Sequence, residues 1–116
     1  MEIKFDRAFK EEIDQEDVYD HFEGVIPKVI GGYNVTVFAY GQTGSGKTYT
    51  MFGRSEGNEK GEGIETGGKE RGIIPRAIEQ LFKRTKDYKQ CNVFCSFLQI
   101  YNERIYDLLQ VRFCLV

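Results

Sequence analysis

Residues 41–48 read Gly41-Gln42-Thr43-Gly44-Ser45-Gly46-Lys47-Thr48. This is the Gly-x4-Gly-Lys-Thr pattern of a phosphate-binding loop. Each residue type in it has a mechanical reason. Glycines at 41, 44 and 46 let the backbone turn through positive φ and bring bare N–H groups against phosphate oxygens. A helix starting at Lys47 would aim its unpaired amides and its positive end at the same anion. The Lys47 ammonium can reach β- and γ-phosphates, and the Thr48 hydroxyl is suited to ligate Mg2+. The competing reading is a glycine-rich turn with a solvated lysine. With glycine near ~7% of residues, a chance match in a chain this long arises roughly a few times in a thousand. The expected ligand is therefore a nucleoside triphosphate with magnesium. No Asn-Lys-x-Asp string occurs to select guanine, so ATP is the expected nucleotide.

Hydrolysis asks for more: an acid near the metal, a group that positions water, and a sensor of the γ-phosphate. One predicted strand ends in an acid, at Asn102-Glu103. Glu103 could stand beside the metal. The preferred reading places it in the first turn of a short helix, where a carboxylate suits the dipole. The phosphate grip is legible and the hydrolytic half is not.

Those residues need elements to hold them. Residues 3–9 look extended, with Phe5 and Phe9 as candidate buried rings. A helix is expected from Gln15 to Ile30, capped by Asp14, with acids at 16 and 17 in its first turn. Val18, Phe22, Val25, Ile26, Val29 and Ile30 recur at helical spacing. Pro27 should kink this helix or start a second short one. A turn at 31–34 precedes a short apolar run at 35–40, which reads as a strand buried on both faces and feeds the glycine-rich loop. The helix from Lys47 should break near Met51-Phe52-Gly53.

Residues 53–72 hold seven of the thirteen glycines and one large aliphatic residue, Ile64. Such a stretch cannot bury a core and is expected to be a mobile surface loop. A helix opens at Pro75, with Ile74, Ile78, Leu81 and Phe82 as its buried stripe. Residues 91–101 read as a second strand. Asn102 would then cap a short helix carrying Ile105, Leu108 and Leu109.

The composition is that of a globular domain: 116 residues, 41% hydrophobic and 29% charged, with net charge −2. That balance argues against nucleic acid or an anionic membrane as partner. Lys83, Arg84, Lys86 and Lys89 read as a solvated face. No apolar run approaches the ~20 residues of a membrane span, and the first residues carry no apolar signal core. An intracellular address is expected. Cys91, Cys95 and Cys114 are then reduced core thiols rather than disulfides. His21, the single histidine, is not expected to ligate a metal. Asn34-Val35-Thr36 matches a glycosylation pattern but lies in a predicted strand of an intracellular chain.

The loop does not stand alone. Residues 32–51, from Gly32-Tyr33-Asn34 through the loop to Tyr49-Thr50-Met51, closely resemble the kinesin motor domain. So do Phe5-Asp6-Arg7-Ala8-Phe9, Gly72-Ile73-Ile74-Pro75-Arg76, and Phe97-Leu98-Gln99-Ile100-Tyr101-Asn102-Glu103 with Asp107-Leu108-Leu109. Order and spacing agree over about residues 3–109.

The resemblance implies an α/β fold of the P-loop NTPase type: a mixed central β-sheet flanked by helices, here truncated. It implies that residues 41–48 hold ATP, that Thr48 meets Mg2+, and that the Tyr49 ring lies against the adenine. It implies a microtubule (tubulin) partner, a microtubule-stimulated ATPase, and a cytoplasmic, cytoskeletal location. It also implies that Glu103 is not the magnesium-side acid. Family members open with an Arg-x-Arg-Pro strand and carry Asn-x-x-Ser-Ser-Arg-Ser-His and Asp-Leu-Ala-Gly sensor segments, none of which occurs here. The tail 110–116 resembles nothing in the family and reads as a premature end. The chain is accordingly expected to bind nucleotide without productive hydrolysis and to be marginally stable. The alternative is a short nonmotor product that binds nucleotide or a partner.

Overall fold

The computed structural model describes residues 4–54 and 68–110. In chain order these form α1 (Gln15–Asp20), α2 (Val25–Ile30), α3 (Lys47–Phe52), α4 (Ile73–Thr85), β1 (Leu98–Tyr101) and β2 (Arg104–Asp107).

Asp14 caps α1 as expected. Its backbone is extended, and its carboxylate accepts from the Asp17 N–H at 2.9 Å. That backbone bond is the main reason its carboxyl is held below the ordinary value of 3.8. The single helix expected over 15–30 is instead two helices, with turns at residues 21–24 between them. Pro27 sits third in α2, inside the first turn, where a missing N–H costs no intrahelical bond. The proline therefore marks a second short helix, one of its two expected effects.

α4 is the long helix. It starts at Ile73, two residues ahead of Pro75, with Gly72 as its cap. Lys83 and Arg84 occupy its last turn, where cations suit the dipole. α1, α2 and α3 all pack against it. The small core lies in that contact: Tyr19 from α1, Ile26 from α2 and Ile73 from α4 are its buried apolar residues. The Tyr19 hydroxyl donates to Gln80 Oε1 at 2.7 Å. Burial, first among its causes, raises the pKa of that phenol. Of the stripe expected on α4, Ile74 and Leu81 are half-buried, while Ile78 and Phe82 are exposed. Val29 is likewise exposed on α2.

The C-terminal part differs most from expectation. Asn102 and Glu103 do not open a helix. They have φ of 49° and 60° and form the two-residue turn of an antiparallel hairpin, in which Tyr101 pairs with Arg104 and Leu98 with Asp107. Positive φ at both central residues is the type I′ arrangement that matches strand twist. Ile105 is therefore a strand residue, and Leu108 and Leu109 follow the strand in a turn. Residues 35–40 and 91–96 are not strands: among the described residues no backbone bond ties them into a sheet, and the hairpin ladder reaches back only to Phe97, whose carbonyl accepts the Leu108 N–H at 2.7 Å. Phe5 and Phe9 are exposed rather than buried, and residues 4–10 pair with no strand. Cys91 and Cys95 are free thiols, as expected, but exposed. The stretch 53–72 is described at its two ends alone, where Gly53 and Arg71 form a β-bridge. Its expected mobility and most of the tail 110–116 lie outside the described residues.

Candidate functional site: the loop before α3

Residues 41–48 wrap into the N-terminus of α3. Gly44 has φ 80° and Gly46, the cap of α3, has φ 90°. Both values lie in the left-handed region that glycine enters freely. Inside the loop the Ser45 N–H donates to the Gln42 carbonyl at 3.2 Å. The first helical bond of α3 runs from the Thr50 N–H to the Gly46 carbonyl at 2.9 Å. The amides of Lys47, Thr48 and Tyr49 belong to the turn before it, which has no acceptors of its own. They face the end of the helix, where an anion is favoured.

The Lys47 ammonium folds back over the loop. It donates to the Gly41 carbonyl at 2.9 Å and the Gln42 carbonyl at 2.6 Å. The cation is thus held against the start of the loop. Gly41, Gln42, Thr43, Gly44, Ser45 and Thr48 are all exposed, so a ligand can reach them. No atom lies within 4 Å of the position a Cβ would take at Gly44 or Gly46. The open left-handed backbone, the cation and the hydroxyl of Thr48 fit a phosphate chain with a divalent metal. Tyr49 lies on α3 with its side chain half exposed.

The far end of α3 is tied down by residues that the pattern does not announce. Gln15, the first residue of α1, donates from Nε2 to the Tyr49 carbonyl at 2.6 Å. Gly53 and Gly72 bring two backbones together: the Gly72 N–H donates to the Phe52 carbonyl at 3.1 Å. A Cβ on Gly72 would sit 2.6 Å from the Met51 carbonyl carbon. A Cβ on Gly53 would collide with the Glu70 carbonyl oxygen. Arg71 steadies this junction, pairing with Glu79 at 2.6 Å and donating to the Pro75 carbonyl at 3.1 Å. Arg76 Nε donates back to the Arg71 carbonyl at 2.9 Å. The Phe52 ring meets Phe97 with centroids 6.2 Å apart, which brings the segment before β1 against α3.

Glu103 is in the hairpin turn, and among the described residues no hydrogen bond or ion pair joins it to the loop. No group of three or more His, Cys, Asp or Glu residues could hold a metal among the described residues. His21 Nδ1 lies 3.1 Å from the Asp17 carbonyl, and its ring meets Phe9 edge-on. No helix among the described residues is long and apolar enough to cross a membrane. Gln15 escaped sequence reasoning because a polar residue after a helix cap reads as surface. The glycine pair had a faint signal, since Gly53 and Gly72 bracket the polar stretch.

The fold is of the phosphate-loop NTPase type, with the loop leading into α3. The family model "Kinesin motor domain" matches residues 1–113, and the chain belongs to that family. The kinesin-like protein KIN-14R of Oryza sativa subsp. japonica is 44% identical over 110 residues, covering 92% of this chain and 10% of the relative. The kinesin-like protein KIN-14C of Arabidopsis thaliana is 40% identical over 112 residues, covering 93% and 13% respectively. A solved structure of the Drosophila kinesin family member Kin10/NOD, in complex with divalent manganese and ADP, aligns with TM-score 0.71 and 34% identity. It covers 92% of this chain and 36% of the NOD chain. NOD has also been docked with bovine tubulin into a map of its nucleotide-free microtubule complex. This chain therefore spans about a seventh or less of the length of these curated relatives.

Proposed function

We propose that this chain grips the phosphates of Mg-ATP through residues 41–48 as part of an ATP-driven, microtubule-based motor. The observation that carries the reading is the left-handed loop at Gly44 and Gly46 with the Lys47 ammonium folded over it. Gly41, Gln42, Thr43, Gly44, Ser45 and Gly46 supply the backbone cradle. Lys47 supplies a positive charge for the β- and γ-phosphates, Thr48 a hydroxyl for the metal, and Tyr49 a ring for the base. The manganese and ADP in complex with NOD support a nucleotide and a divalent cation as ligands. The metal, when bound, neutralises charge on the phosphates. The NOD–tubulin docking supports a microtubule partner, and with it a cytoplasmic, cytoskeletal location.

Binding and hydrolysis separate in this reading. In it residues 41–48 supply a phosphate grip, and no residue is assigned the positioning of an attacking water. The chain by itself should bind nucleotide weakly and turn it over at background. The test is titration with a fluorescent ATP analogue, with and without Mg2+, for the chain and for Lys47→Ala. Magnesium-dependent binding that Lys47→Ala weakens by at least tenfold supports the reading, since a charge-assisted bond contributes about 1.5–3 kcal/mol. Equal binding by both chains would sink it. Microtubule-stimulated turnover by the 116-residue chain would refute the separation of binding from hydrolysis.

A further inference from the structure

We propose that Gln15 is a positioning residue that sets the orientation of α3, and through it the aim of the phosphate loop. The inference rests on the nucleotide-binding reading for its consequence, and on the fold alone for its geometry.

Gln15 is the buried polar residue of the described chain, with 4% of its surface exposed. A buried amide without a partner is costly, so its bond to the Tyr49 carbonyl is one that the fold must keep. That carbonyl also accepts the Gly53 N–H at 2.7 Å, so one oxygen joins the end of α3 to α1.

α3 has six residues, and none of them is buried. Its packing against α4 is through half-buried residues such as Thr50 and Met51, a weaker hold on rotation about its own axis than an apolar face buried in a core gives. Directional bonds add to that hold. The Gly53–Gly72 junction fixes where the helix ends. The Gln15 amide fixes one carbonyl around its circumference. Because α3 is short and stiff, a turn at Tyr49 moves the amides of Lys47 and Thr48, which begin the same helix. Asp14 in turn holds the first turn of α1, the turn that carries Gln15.

The test compares the whole chain with Gln15→Met, which keeps length and loses the donor, and with Gln15→Glu, which donates when protonated. Two readouts are taken: hydrogen exchange of the Thr50–Gly53 amides, and affinity for ADP against adenosine. In Gln15→Met the α3 amides should exchange about three- to tenfold faster while those of α4 hold, the loss expected for one hydrogen bond. Affinity for ADP should fall by a similar factor, and by more than that for adenosine, which meets Tyr49 but not the loop amides. In protection factors, Gln15→Glu should approach the parent chain at acid pH and be at least as loose as Gln15→Met at pH 8, where a buried carboxylate would face the carbonyl oxygen. If Gln15→Met does not fold, Gln15→Glu compared with itself across pH reads the same bond. Unchanged α3 exchange, or equal loosening of α3 and α4, would overturn the inference. Failure of the parent chain to bind ADP would count against the nucleotide reading, while the exchange data still decide the role of Gln15.

Discussion

Gly46 is a residue where backbone and ligand make the same demand. Its φ of 90° caps α3 and also turns the loop amides outward. Nothing crowds its missing Cβ, so Gly46→Ala should meet conformational strain alone, about 1–2 kcal/mol. The expected result is a lower melting temperature and a weaker nucleotide signal together; an unshifted melt would show that the left-handed turn is not required. Asp14 gives a second prediction at this scale. Its folded pKa is depressed, so its contribution to stability is present above the ordinary 3.8 and lost as pH falls through the depressed value. Asp14→Asn keeps an acceptor for the Asp17 N–H without titrating. Its melting temperature should vary less than the parent's below pH 4; parallel acid profiles would reject the cap as an acid-sensitive element. The glycines, Lys47 and Thr48 were legible in the sequence because each type answers one local need of a phosphate cradle. Gln15 was not, because its need comes from a carbonyl 34 residues away.

Elements were legible where local chemistry decides them. Asp14 announced α1, Pro27 announced a break, and Lys47 announced α3. They were illegible where partners decide them. The apolar runs 35–40 and 91–96 have strand composition, yet a strand exists only when another strand pairs with it. The hairpin shows the converse. Asn102-Glu103 looked like a helix cap, but Asn102 tolerates the left-handed region and Glu103 follows it there, which turns the chain back on itself. Glu103 carries a strained φ of 60° that glycine adopts freely. Glu103→Gly should therefore raise stability by about 0.5–1 kcal/mol, less than the full strain because glycine also loses more entropy on folding. A higher urea midpoint with an unchanged slope is the expected reading; a lower midpoint would mean that the Glu103 side chain does something in the turn beyond accepting its geometry.

At the scale of the whole molecule, surface outweighs core. Among the described residues three apolar ones are buried, whereas Phe38, Tyr40 and Phe94 are 81%, 95% and 92% exposed. The radius of gyration is 17.0 Å, against about 13 Å for a compact domain of this length. The hairpin has a free edge on each side among the described residues, and its Ile100 and Ile105 pair across it while exposed. Free edges and exposed rings both favour pairing with another chain. The net charge of −2 offers little repulsion to oppose it. The isolated chain is thus expected to bind a hydrophobic dye, to sediment as species larger than 13.4 kDa at micromolar concentration, and to melt broadly. Loading with Mg-ATP should shift that melt only slightly, because a ligand stabilises in proportion to the logarithm of its concentration over Kd and the expected binding is weak. A monodisperse monomer with a sharp, reversible transition well above room temperature would show that the chain is a stable unit despite its small described core.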